Sequence, residues 1–286
     1  MKILFHSRYV ERGKGCRIED TGGKGYSFFR EELVRHGCEV NSCYDPIGAG
    51  TLRPYGILVI ARPSNSNFSK AEIREVSEFV RKGGGLFLLH DDPGDYGNKT
   101  NLNEISGKFG ITFDEGLIGG CVDFKSGWLT RPVIRIFAEH PITRGVEKIW
   151  YWGCGVTGGV SIRSVCEKGI TNDKVRIAAA TEWWRGKVVC IGSPWLFCND
   201  ERYYSPYYYD EFQLGLNIIS WLGGKEPPMQ IKKEWLRNPF WSWWMYRKAF
   251  IRRHPDLLEG ITFILAILAL LLALGGLIPS PIGLFE

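Results

Sequence analysis

Two short, unbroken apolar runs flank one capped helix in the first third of the chain, and that arrangement restricts the fold more than any other feature. Residues 56–61 (GILVIA) and 86–89 (LFLL) carry no polar side chain. A strand buried on one face alternates polar and apolar residues, whereas one buried on both faces reads as a continuous apolar run. Between the runs, Ser69 stands three residues before Glu72 as a capping box, and Ile73, Val76, Phe79 and Val80 recur at helical spacing. Gly83-Gly84-Gly85 stops that helix. Upstream, 2–6 (KILFH) predicts a strand, 25–36 a helix through Phe28, Phe29, Leu33 and Val34, and 38–43 a second strand. This order, with short connections, predicts an α/β domain built on a parallel sheet covered on both faces.

Further along, 101–109 predicts a short helix and 111–137 irregular strands and loops. Residues 174–181 and 187–191 predict a hairpin about Arg185-Gly186, and 210–222 a closing amphipathic helix. His140-Pro141-Ile142-Thr143 predicts a capped turn. The stretch 223–228 (GGKEPP) reads as a linker.

Beyond the linker the chemistry changes. Residues 261–278 (ITFILAILALLLALGGLI) hold no ionisable side chain, and 18 helical residues rise roughly 27 Å, close to the hydrocarbon thickness of a bilayer. A core helix keeps a polar face and this run has none, so a single transmembrane helix is expected. Before it, Trp235, Trp241, Trp243, Trp244 and Tyr246 are interleaved with Arg247, Lys248, Arg252 and Arg253. Indole and phenol rings favour the headgroup boundary, and basic side chains favour anionic lipid. The expected partners are therefore the bilayer, through 261–278 and a collar over 231–253, and a membrane protein. The tail 279–286 has no Lys or Arg, so the positive-inside rule leaves the N-terminal domain in the cytoplasm. Inverted topology is the alternative, and the sequons at Asn67 and Asn98 would matter only then.

Net charge agrees with that division. Of the +5 overall, residues 225–260 supply +4, from eight Lys/Arg against four acids, and 1–224 only +2, with Glu286 removing one. A body this near neutrality lacks the basic face that nucleic-acid binding requires, so no nucleic-acid partner is expected. Eight cysteines without a CxxC pair argue against a zinc ribbon, and cytoplasmic placement favours free thiols.

In an open α/β sheet, ligands bind beyond the carboxyl ends of the strands. Three such ends are legible: His6-Ser7, Arg62 to Ser64, and His90-Asp91-Asp92. Paired carboxylates beside an imidazole suit acid–base work or a metal, and Asp before Pro or Gly equally suits capping of a turn. Cys154 lies between glycines but follows no strand of the parallel set. The glycine-rich stretch 13–25 fits neither common phosphate-loop pattern, although a loop of this kind before a helix suits an anion.

Residues 56–118, with FSKAEI opening the helix, FVRKGGGLFLL as helix, stop and strand, NLNEI and FGITF, resemble the GIFT-type, class I glutamine-amidotransferase-like domain, and GKVVCIGSPWLFCND and IISWLGG resemble its closing strand and helix. That family is known from an intraflagellar-transport subunit, gliding or transport auxiliary proteins and an oligosaccharyltransferase subunit. The resemblance covers roughly 1–224 and implies a flavodoxin-like three-layer sandwich in which the amidotransferase nucleophile is usually absent. Here LLHDDPG stands at the catalytic corner, so no catalytic residue carries over.

The expectation is a domain over 1–224, a membrane-surface segment over 225–260, the span and a short tail. It is expected to act as a non-catalytic ligand- or partner-binding subunit of a membrane complex, transport-like or glycan-handling, with no cofactor and no resident metal. The candidate binding residues are His6, Ser7, Arg62, Ser64, His90, Asp91, Asp92 and Asn98. The rival is a hydrolase or amidotransferase-like enzyme using His90, Asp91 and Asp92, with or without a metal.

Overall fold

The computed structural model describes residues 1–8, 10, 16–118, 121–122, 129–130, 133–135, 137–158, 160–163, 176–199 and 210–226. The chain divides into two units, Met1–Lys232 and Lys233–Glu286. The second lies wholly outside the described residues, as do the aromatic and basic collar and the 261–278 run. No described helix is long and apolar enough to cross a membrane.

In chain order the elements are β1 (Lys2–His6), α1 (Ser27–Arg35), β2 (Glu39–Cys43), β3 (Ile57–Ala61), α2 (Lys70–Arg81), β4 (Gly85–Leu89), α3 (Gly94–Asn98), α4 (Leu102–Ser106) and β5 (Ile111–Ile118). There follow the two-residue strands β6 (Cys121–Val122), β7 (Leu129–Thr130), β8 (Val133–Ile134) and β9 (Ile149–Trp150). Then come β10 (Gly153–Gly158), β11 (Val160–Arg163), β12 (Arg176–Trp183), β13 (Gly186–Ile191) and α5 (Glu211–Leu222).

The central sheet has seven strands in the order β11-β12-β13-β4-β3-β1-β2. From β2 to β13 every pairing is parallel, and β12 and β11 extend the sheet antiparallel. The fold is thus mixed α/β with a mostly parallel sheet, compatible with a flavodoxin-like fold. β3 and β4 are buried at every position, as their unbroken apolar runs require. Because side chains alternate along a strand, each central strand feeds two cores. Phe5, Val59 and Phe87 pack on one face with Phe29 and Leu33 of α1 and Leu216 of α5. Leu58, Leu86 and Leu88 pack on the other with Ile73, Val76 and Val80 of α2 and Leu102 and Ile105 of α4. Burying each such aliphatic side chain contributes roughly 1.5–3 kcal/mol.

The capping box forms as its spacing predicts: the Ser69 hydroxyl accepts from the Glu72 amide, and the Glu72 carboxylate accepts from the Ser69 amide at 2.9 Å. Two expectations need correction. Residues 111–118 are one continuous eight-residue strand, paired antiparallel with the distant β10 across a register shift between Cys154 and Val156. The closing helix α5 is buried along almost its whole length rather than amphipathic, with Ser220 alone half-buried. Its polar residues face protein: Asn217 Nδ2 donates to the carbonyls of Ile142 and Arg144, Gln213 donates to Asn217, and Glu211 accepts from the Trp150 amide. In sequence they mimic a solvated stripe. In the fold Asn217 satisfies the backbone of the His140–Arg144 turn, where His140 Nδ1 caps Ile142 as expected, and Glu211 binds the chain beyond that turn at Trp150.

Candidate functional site

Parallel registry brings four strand ends together. His6 lies opposite Ile60, and Leu89 opposite both Ala61 and Ile191. The residues that follow β1, β3, β4 and β13 therefore share one edge. Strand order reverses between β1 and β3, and the crevice outside that point is where open α/β sheets bind ligands. Ser7 and Arg62 flank it.

Asp91 is the centre of this edge. Its Oδ2 accepts from Arg62 Nε at 2.7 Å, and its Oδ1 accepts from Trp195 Nε1 at 2.8 Å and from the Asp92 amide at 3.0 Å. The Asp91 side chain is 5% exposed and that of Arg62 19%. A buried carboxylate is tolerable only with such compensation. Arg62 leaves β3 at φ +51, an uncommon conformation for a residue with a Cβ, and its amide donates to the Leu89 carbonyl at 2.8 Å. That bend lays its guanidinium over the Trp195 ring, 4.6 Å from the centroid. Burial works against the Arg62 charge, but the Asp91 carboxylate and the other groups around it together raise its pKa.

Asp92 differs from its neighbour. It is half-buried, and burial first and the Asp91 charge second push its carboxyl up to about 6, against a hydrogen bond from the Trp152 side chain. Beside it Trp150, Tyr151, Trp152, Ser193, Trp195, Leu196 and Glu211 line a narrow aromatic cleft. The Ser193 hydroxyl is buried there without a hydrogen-bond partner among the described residues.

His90, Asn98 and His6 are held by side-chain hydrogen bonds within the fold. His90 is completely buried, its Nε2 lies 2.9 Å from Asp95 Oδ1, and its ring meets Phe113 edge-on. Asp95 also accepts from the Leu102 and Asn103 amides, so one carboxylate caps α4 and holds the imidazole. Capping of α4 thus falls to Asp95, and α3 begins after Pro93 without a side-chain cap. The Asn98 amide donates to the carbonyls of Asp91, Asp92 and Gly94 and ties down the loop that carries the two carboxylates. His6 is buried with Nε2 2.9 Å from the Asp45 carbonyl, and burial lowers its pKa, so it stays neutral near pH 7. Ser7 is buried, its amide bound to the Cys43 carbonyl, and Ser64 is half-buried beyond the Arg62 bend.

Cys154 sits inside β10, and burial first, then the Asp91 charge, raises its thiol far above the ordinary range, the opposite of what a thiolate nucleophile needs. A side chain on Gly192 would collide with the Cys154 carbonyl, which shows how closely β10 crosses the end of β13. The described part of the glycine-rich stretch is pinned by Asn199, whose Nδ2 reaches the carbonyls of Asp20 and Gly22; positions 13–15 lie outside the described residues. No group of three or more His, Cys, Asp or Glu among the described residues is placed to hold a metal ion.

Sequence reasoning missed Trp195, Trp152 and Asp95. The available signal was that 187–191 is itself a strand with a carboxyl end, Gly192-Ser193-Pro194-Trp195. Neither the hairpin nor the closing-strand resemblance by itself says that this strand lies parallel to β4, which is what makes its carboxyl end the fourth of the set.

Residues 18–124 match the family model described as a domain of unknown function, DUF4350. No curated protein matches the chain. Among solved structures, the mmIFT52 N-terminal domain is 18% identical, with 77% of this chain and 97% of that one covered and a TM-score of 0.62. A ThuA-like protein from Bacteroides uniformis is 12% identical over 79% of this chain and 94% of its own, with a TM-score of 0.51. At these identities the likeness is one of fold. In its backbone the chain is similar to GIFT- and ThuA-like proteins.

Proposed function

We propose that this chain is a membrane-anchored, non-catalytic binding subunit of a membrane complex, transport-like or glycan-handling. In this reading 1–224 form a flavodoxin-like sandwich, 225–260 lie at the membrane surface, 261–278 cross the bilayer and 279–286 trail beyond it, with the domain in the cytoplasm. The binding reading is carried by the Arg62–Asp91–Trp195 assembly. A buried carboxylate holds a guanidinium and an indole rigidly at the switch-point crevice, with the half-buried Asp92 beside them. Preorganised polar groups on strand ends suit recognition. The membrane reading is supported by the sequence of 225–278.

A second reading has one observation behind it. A carboxyl pushed up to about 6 is suited to give or take a proton near neutral pH, so Asp92 is the residue on which an acid–base enzyme would depend. His90 and Asp91 are already committed to Asp95 and to Arg62 and Trp195.

The test uses the full chain solubilised in detergent from its own membranes. Arg62→Gln and Asp92→Lys are expected to lose a co-purifying membrane partner that wild type retains. Retention of every partner by both variants sinks the carboxyl-edge reading, and saturable hydrolysis abolished by Asp92→Asn replaces it with the enzyme. A glycan on the exposed Asn67 would invert the topology. Asn98 is a poor reporter because its amide is already bound within the fold.

A further inference from the structure

The sheet edge opposite the candidate site carries a tryptophan that the fold leaves mostly exposed. β12 and β13 are joined by the two-residue turn Trp184-Arg185. Such turns favour Asn, Asp or Gly because they need positive φ. Trp184 has φ +55 and is 75% exposed. Packing is done instead by Trp183, edge-on to Phe109 at 5.2 Å. The Trp184 ring meets Trp183 edge-on at 6.4 Å, yet that contact leaves it mostly exposed, and turn chemistry does not call for an indole at this tip.

Its surroundings are the amino ends of the strands. The Lys187 amide donates to Gly84, Gly85 to Gly56, and Gly56 to Lys2. The hairpin tip, the α2–β4 turn and the start of the chain therefore lie along one edge. α5 ends there too: Lys187 Nζ lies 4.8 Å over the Trp221 ring, and Leu222 packs against Gly85. Lys225-Glu226 end the last described stretch, and in sequence the basic and aromatic segment and the apolar run follow them. Lys82, Arg185 and Lys225 are exposed, and none forms an ion pair among the described residues.

We propose that this amino edge docks on the bilayer surface, with Trp184 at the headgroup boundary and Lys82, Arg185 and Lys225 facing anionic headgroups. An indole has an apolar body and a polar N–H that both find partners at that depth, and exposed cations spread along one edge are drawn to anionic lipid. A protein partner fits less well, since specific interfaces bury about 800 Å² per side and one protruding side chain offers far less. The proposal rests on the membrane-anchored reading, and it turns the Asp91 edge away from the lipid.

The test reconstitutes the full chain in phosphatidylcholine–phosphatidylglycerol vesicles whose lipids are brominated near the headgroup. Flotation reports the anchor, and tryptophan quenching reports docking. Trp184→Asn, which suits the turn, is expected to float like wild type but to lose about one indole's share of quenching among the eleven tryptophans. Arg185→Glu combined with Lys82→Glu is expected to lose the same component. Equal quenching of wild type and Trp184→Asn in floating vesicles overturns docking and leaves the anchor standing. A full chain that does not float overturns both. Trp184 shielded in detergent, with a dimer in sedimentation, assigns this edge to a second copy and overturns the lipid assignment.

Discussion

The Arg62 guanidinium lies 4.6 Å from the centre of the Trp195 ring, and both side chains donate to the same Asp91 carboxylate. Residues separated by more than a hundred positions are thus locked into one unit by a single buried anion. Removing Arg62 leaves that anion undercompensated. Arg62→Ala is expected to destabilise the domain by about 3 kcal/mol, with Arg62→Lys costing less. Urea denaturation of the full chain measures it, and an unchanged midpoint contradicts the assignment.

The pH response should carry the mark of Asp92. Its folded pKa of about 6 lies above the ordinary 3.8, so the folded state holds a proton that the unfolded state has released across that window. Stability is therefore expected to fall as pH rises from about 4 to about 6 and to lose nothing further from this group above that. Asp92→Asn should flatten the slope over the same interval. Carboxyl-carbon NMR of Asp92 reads the titration directly, and a midpoint near 4 refutes it.

Asp95 has two separable duties. Asp95→Ala removes the acceptor for the Leu102 and Asn103 amides and leaves the buried His90 Nε2 without its partner, with an expected cost of about 2 kcal/mol. Asp95→Asn keeps an acceptor and should cost less. Equal midpoints for the two variants would remove the capping role.

Thiol reactivity should follow burial. Cys154 and Cys190 are buried with pKa values raised chiefly by desolvation, whereas Cys43 is half-buried. Iodoacetamide on the native chain is expected to modify Cys43 well before Cys154 or Cys190, and unfolding should abolish the difference. Mass spectrometry of the digest decides it, and early modification of Cys154 would reopen the nucleophile reading.

The strands, the helix stop at Gly83-Gly84-Gly85 and the Ser69–Glu72 cap were legible because each depends on neighbours a few residues away. The same locality explains the misreadings. β5 was not legible as one strand because its partner β10 lies some forty positions on, and α5 looked amphipathic because nothing near Asn217 announces the backbone carbonyls it binds.

Sequence alone determined the α/β class, the order of the first elements and the candidate edge, since hydrophobic period and capping chemistry are local physics. It placed His90, Asp91 and Asp92 together but could not divide their roles. Tertiary structure made that division: His90 is buried on Asp95, Asp91 is paired with Arg62 and hydrogen-bonded by Trp195, and Asp92 is left half-exposed with a raised pKa. A carboxyl's character depends on the charges, donors and water around it, and those come from residues that only folding brings near.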